Sequence, residues 1–277
     1  MGVFYWLEII RWHFPCIYQL QINNNGTRLV MDKMLYIAMS GAKQNMYSLA
    51  VTANNLANAN TTGFKADLAQ ARSMQAFGEG LPSRVFAMTE RASQNFDSGS
   101  LQQTDRKLDI AVTGNGFIAV QTLGGEEAYT RDGHLRLTAD GTLETNKGDI
   151  VLGENGPIVL PLPVNNIEIN KSGTIMVRPQ GAPSNVQDEV ARIKLVNPDV
   201  KKIYKGNDGL FRNKDGTTSN ADVGVKVQSG MLETSNVNPV QEMTQMISLQ
   251  RQFEMQLKLM KTAEDMDSSS AQLLRAF

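Results

Sequence analysis

Residues 53–66, ANNLANANTTGFKA, mark the point where the chain changes its period. Before them apolar residues recur at helical spacing, and after them they alternate. Four asparagines, Asn54, Asn55, Asn58 and Asn60, fall within seven positions at this boundary. Asparagine is a poor helix former, because its amide competes locally for backbone hydrogen bonds. A cluster of them at the end of a helix therefore needs a reason.

Working outward toward the N-terminus, Leu35, Met39, Ala42, Met46, Leu49, Ala53 and Leu56 fall in alternating steps of four and three, an a/d heptad seam. Lys43, Gln44, Asn45 and Ser48 are expected on the opposite face. Thr61, Thr62 and Gly63 are expected to end the helix, Gly63 as a left-handed cap. Such a helix spans about 40 Å at the helical rise. The other end of the chain mirrors it. Asn238, Pro239 and Gln241 form a helix start of N-cap, first helical residue and capping-box partner. A second seam follows through Met243, Met246, Ile247, Gln250, Phe253, Leu257 and Met260, with Arg251, Lys258 and Lys261 facing outward and Ser268 to Ser270 loosening the end. These narrow stripes either pair with each other as a hairpin or are completed by other copies or other subunits.

Between the helices, over residues 67–236, the period is two. LDIAVTGNGFIAVQT (108–122) reads as strand, glycine-rich turn and strand. Asp132-Gly133, Asp140-Gly141, Ser172-Gly173, Asp208-Gly209 and Asp215-Gly216 are turn signals between short alternating segments. The fold class is therefore mixed α and β: a central all-β domain, a sandwich or open barrel, flanked by long amphipathic helices at the two ends.

The chemistry of an enzyme is missing from this pattern. The stretch VTGNGFIA (112–119) matches a dinucleotide-binding fingerprint, but a strand follows where that motif needs a helix N-terminus. The Asp/Asn-rich stretch 204–222 lacks the alternating ligand spacing and closing glutamate of a calcium loop. His134 beside Asp132 has no nucleophile elbow to join it. One cysteine, Cys16, excludes an internal disulfide, and His13 and His134 are the only histidines. A net charge of −1 gives no electrostatic grip on nucleic acid. No catalytic residue, cofactor, metal, nucleic acid or small-molecule substrate is expected.

Three blocks carry a resemblance: ANNLANANTTGFK; LDIAVTGNGFIAV followed by YTRDGHLRLTADGTLETNKGDIVLG; and SGMLETSNVNPVQEMTQMISLQRQFEMQLKLM. In this order they resemble the bacterial flagellar axial proteins, the rod and hook family, over nearly the whole chain from Met31. MDKMLYIAMSGAKQ, RIKLVNPD and NDGLFR look most like its proximal-rod members, with the distal-rod members close behind. The resemblance implies a structural subunit of the basal-body rod. It would be exported through the flagellar export apparatus without a cleaved signal and polymerise with copies of itself and with other proximal- and distal-rod proteins. The alternatives are a distal-rod or hook-type subunit, and a non-flagellar β-domain binding module with coiled-coil arms.

Under this resemblance the two seams become subunit interface, together with Asn54, Asn55, Asn58, Asn60, Gly63, Phe64, Asn236 and Asn238. The asparagines then have a use. A carboxamide offers a donor and an acceptor without charge, and so can bridge backbone groups of neighbouring subunits. Residues 31–66 and 237–277 are the expected assembly segments. Residues 1–30 hold both tryptophans and the cysteine and have no counterpart in the family pattern. They are expected to be a non-native extension before a true start at Met31, the alternative being an interfacial anchor.

Overall fold

The computed structural model describes residues 33–75, 85–90, 93–181 and 188–275, so the expectations for residues 1–30 lie outside the described residues. Two helices hold the ends of this stretch: α1, Lys33–Ala57, and α2, Pro239–Arg275. At α2 the expected N-cap and first helical residue are present. The Asn238 side-chain oxygen accepts hydrogen bonds from the Val240 and Gln241 N–H groups at 3.1 and 3.4 Å. The end differs from expectation. Ser268, Ser269 and Ser270 turn their hydroxyls back onto the carbonyls of Asp265 and Met266, so they sit within the helix instead of loosening it. With 37 residues α2 spans about 55 Å.

α1 and α2 pack antiparallel. Gly41 lies opposite Gln256, and Asn55 lies opposite Glu242. The faces that meet take only half of each expected seam. From α1, Ala38, Ala42, Thr52 and Asn55 are buried, and Leu35, Leu49 and Leu56 are half-buried. From α2, Leu249 and Ala263 are buried, with Met246, Phe253, Gln256 and Met260 half-buried along the same face. Met39, Met46 and Ala53 point away, as do Met243, Ile247, Gln250 and Leu257. Gln44, expected outside, is buried and hydrogen-bonds the Ser48 hydroxyl at 3.5 Å. The physical reason is side-chain size. Small residues let helix axes approach, and a Cβ added to Gly41 would already sit 3.1 Å from Gln256 Nε2. On α1 the larger Met39 and Met46 fall outside this close-approach face.

Among the described residues, the β-region is built around one sheet of nine strands. Its antiparallel path runs Ile203–Lys205, Phe211–Asn213, Glu127–Thr130, Phe117–Gln121, Ile150–Gly153, Leu143–Thr145 and Leu135–Leu137. Gly156–Pro157 and Leu195–Val196 pair alongside this path. A three-stranded sheet (Val164–Ile169, Thr174–Pro179, Asp188–Arg192) and the pair Ile110–Thr113 with Lys226–Ser229 share a core with it. Alternation along Phe117–Gln121 explains how the central sheet is covered on both faces. Ile118 and Val120 enter this larger core, while Phe117 and Ala119 enter a smaller one with Tyr129, Val196, Ile203 and Phe211.

Turn chemistry held at Asp140-Gly141, Ser172-Gly173 and Asp208-Gly209, each of which joins two paired strands. It failed at Asp132-Gly133, because Glu127–Thr130 and Leu135–Leu137 pair with other strands and not with each other. Gly133 is needed there for closeness instead: a Cβ would lie 1.6 Å from the Ile110 carbonyl oxygen. The glycines of residues 114–116 likewise link two sheets, since Ile110–Thr113 pairs with Lys226–Ser229 while Phe117–Gln121 lies in the nine-stranded sheet.

Candidate assembly surface

Two regions bear the candidate residues: a junction where both ends of the chain meet the β-region, and the outward faces of the helices. At the junction, α1 stops at Ala57 and the asparagine block turns the chain into the β-region. Asn55 is buried and binds both backbone groups of Asp67, donating to its carbonyl at 2.9 Å and accepting from its N–H at 2.9 Å. It also donates to the Glu242 carboxylate at 3.4 Å. Asn58 Nδ2 donates to the Asn54 carbonyl and side-chain oxygens at 2.9 and 2.7 Å, and Asn58 Oδ1 accepts from the Thr61 hydroxyl at 3.1 Å. Asn236 Oδ1 accepts from the Ala66 N–H at 2.8 Å, and Asn236 Nδ2 donates to the carbonyls of Asn95 and Asp97 at 2.9 and 3.0 Å. The expected use of Asn55 is therefore revised. Its amide serves this chain's own Asp67 backbone and Glu242 carboxylate. Asn54 and Asn60 are exposed. Asn54 and Asn58 line a groove of about 390 Å³, with Tyr47, Phe64, Lys147 and Lys205.

Gly63 has φ +65°, but as part of this junction and not as the cap of α1. It lies against the backbone of Arg131, and its N–H donates to the Glu233 carbonyl at 2.8 Å. Beneath it sits a charged triad that the sequence did not reveal. Lys65 Nζ is 2.7 Å from Glu233 Oε1, and Arg131 Nη1 is 2.8 Å from Glu233 Oε2. Lys65 and Glu233 are 1% exposed and Arg131 is 3% exposed. Burial pushes the Lys65 ammonium below the usual lysine range, with the Glu233 carboxylate opposing that shift. Lys205 is lowered for the same reason against Asp67, and its Nζ lies 3.8 Å from the centre of the Phe64 ring. No periodicity or local motif links Lys65 to a glutamate 168 positions away.

Two expected outcomes arise here. Replacing Asn55 with alanine leaves both backbone groups of Asp67 without their partner. It costs about 2 kcal/mol in denaturant unfolding of the purified chain. Glu242, in the first turn of α2, has its carboxyl raised above the ordinary 4.5 by burial, the Asn55 hydrogen bond opposing. A carboxyl with a raised folded pKa binds its proton more tightly in the folded state. Its stabilising effect is complete below 4.5 and is lost as pH rises through the folded value. Glu242→Gln, which mimics the protonated form, is therefore at least as stable as the parent at neutral pH. That advantage vanishes as pH falls to 4.5, as read by paired denaturant titrations.

The outward faces are apolar and without cover among the described residues. On α1, Met39 and Met46 are 50% and 58% exposed, a heptad apart, flanked by Tyr36 and Tyr47. On α2, Val240, Met243, Ile247 and Leu257 form one exposed stripe, and Leu259, Met266 and Leu273, spaced by heptads, form another. Of the other expected interface residues, Gly63 is buried, Phe64 and Asn236 are half-buried and Asn238 is exposed.

Three family descriptions match this chain: "Flagella basal body rod protein" over residues 35–65, "Flagellar hook protein FlgE/F/G D1 domain" over 111–177, and "Flagellar basal body rod FlgEFG protein C-terminal" over 228–273. The chain is 39% identical to the flagellar basal-body rod protein FlgF of Escherichia coli over 250 residues, covering 88% of this chain and 99% of that one. It is 38% identical to FlgF of Salmonella typhimurium with the same coverage of both chains. Identity to the basal-body rod protein FlgG of Buchnera aphidicola subsp. Baizongia pistaciae is 30%, over 85% of this chain and 97% of that one.

Proposed function

This chain belongs to the flagellar basal-body rod protein family, and from that premise we infer that it is a structural subunit of the proximal rod, polymerising through the outward faces of α1 and α2. The observation that carries the reading is the division of each helix into two faces. The inward face is already filled by the partner helix of the same chain. The outward face repeats large apolar residues at heptad spacing with nothing among the described residues over them. A head-to-tail contact between such faces does not close on itself, and so builds a filament.

In this arrangement residues 31–66 and 237–277 form the inner tube, and the β-region of 67–236, a sandwich or open barrel, lies outside it. The tube makes part of the periplasm-spanning shaft that transmits torque. Its neighbours are copies of this chain and other proximal- and distal-rod proteins, and the chain reaches them through the flagellar export apparatus without a cleaved signal. The interface residues are the outward Met39, Met46, Ala53, Met243, Ile247, Gln250 and Leu257, with Asn54, Asn58 and Asn60 at the rim. Identity that is higher to FlgF than to FlgG favours the proximal position over the distal one.

The test is mass spectrometry of detergent-purified hook–basal bodies, paired with deletion of the gene. The protein is expected in those particles in low copy number, and the deletion strain is expected to lack complete rods and to be non-motile. Complete hook–basal bodies assembled without the protein would overturn the assignment.

A further inference from the structure

We propose that Glu233 is a positioning residue which sets the direction in which both terminal helices leave the β-region, by holding two buried cations from opposite sides with one carboxylate. The three charges come from three separate segments. Lys65 lies on the link leaving α1, Arg131 follows the strand Glu127–Thr130, and Glu233 ends the strand Met231–Glu233 that leads to α2. Each oxygen of the carboxylate has its own cation, at 2.7 Å for Lys65 and 2.8 Å for Arg131, and Oε1 also accepts the Gly99 N–H at 3.0 Å. The cations are tied in turn to fixed backbone. Lys65 donates to the Asp97 carbonyl at 2.8 Å, and Arg131 donates to the carbonyls of Gly114 and Val112 at 2.6 and 3.3 Å.

A shift of either helix-bearing segment lengthens at least one charge-assisted hydrogen bond in a site closed to water. Such bonds hold direction as well as distance, whereas apolar contacts allow sliding. Stability is a weak explanation for this triad, since buried ion pairs are commonly replaceable without loss. The surrounding junction bonds use neutral amides: Asn55 ties α1 to Asp67 and to Glu242 of α2, and Asn236 ties the segment before α2 to Ala66, Asn95 and Asp97. Among the described residues, only the triad joins both helix-bearing segments to the central sheet through one side chain. For a rod subunit this fixes the angle between tube and outer domain, but the geometry itself is a property of the isolated chain.

The experiment places spin labels on cysteines at exposed Lys43 and Lys171, in a Cys16→Ser background, and measures the distance distribution in the purified chain. The parent gives one narrow distribution. Glu233→Gln leaves two buried cations facing each other, so Tm falls by about 10 °C and the distribution widens roughly twofold. A second variant separates direction from stability. Lys65→Met with Glu233→Gln returns the buried net charge to that of the parent, and the Asp97 carbonyl keeps its bond from Asn236. This double variant is expected to regain most of the lost Tm and to keep the wide distribution. A parent-like distribution in the double variant overturns the proposal. So does a double variant that cannot fold, because the carboxylate would then be supplying stability and not direction. Neither outcome depends on a flagellum, so failure here is distinct from failure of the rod assignment, which the basal-body measurement reads.

Discussion

Replacing Gly63 with valine lowers the stability of the purified chain by about 4 kcal/mol, a fall in Tm of roughly 10 °C. Three costs combine. The position has φ +65°, a conformation that strains a β-branched residue by about 1–3 kcal/mol. A Cβ there would lie 2.4 Å from the Arg131 carbonyl carbon and 2.5 Å from the Asp132 nitrogen, and backbone must move to admit it. That movement strains the 2.8 Å bond from the Gly63 N–H to the Glu233 carbonyl, and with it the strand that carries the triad. Gly125 supplies the control. Its φ of +82° is as unusual, but nothing lies within 4 Å of the position of a Cβ. Gly125→Val should therefore lose only the conformational part, about 1–3 kcal/mol. Equal losses at the two positions, read by thermal unfolding, would show that close packing at the junction contributes nothing.

The second large effect concerns assembly and leaves the fold alone. Met39→Glu with Met46→Glu places two charges on the outward face of α1, at positions 50% and 58% exposed in the single chain. The isolated protein is expected to keep its Tm within about 2 °C, since exposed substitutions away from special contacts shift stability by only about 0.5 kcal/mol each. In the rod those carboxylates would be enclosed between subunits without partners, at a cost of several kcal/mol per contact. Motility in soft agar should fall to the level of the deletion strain, with the variant protein still exported. A motile strain carrying both charges would mean that this face of α1 stays open to water in the rod.

Much of this architecture is legible in the sequence. Asn238-Pro239 announces α2, and the dipeptides at residues 140–141, 172–173 and 208–209 announce their hairpins, because each of those signals is local chemistry. The heptad seams locate the helices but not the face each turns inward. That choice depends on how closely the partner helix approaches, and Ala38, Ala42 and Gly41 decide it through small size and not through hydrophobicity. Asp132-Gly133 has the composition of a hairpin turn, yet it serves as a link between strands that pair elsewhere. The asparagine block shows both sides. Its role in ending a helix is legible, whereas the use of Asn55 to hold Asp67 and Glu242 depends on segments that only folding brings together. The triad of Lys65, Arg131 and Glu233 is the extreme case, three ordinary charges whose meaning lies wholly in tertiary contact.

The central claim is that the outward stripes of α1 and α2 are covered by neighbouring subunits in the rod. Site-specific photo-crosslinking tests it most directly, with p-benzoylphenylalanine placed singly at Met46, at Met243 and, as a buried control, at Leu249. Cells are irradiated and the hook–basal bodies purified. Met46 and Met243 are predicted to give adducts between this chain and other rod subunits, while Leu249 reacts only within its own chain. Absence of intermolecular adducts from both outward positions, in particles that contain the protein, would contradict it.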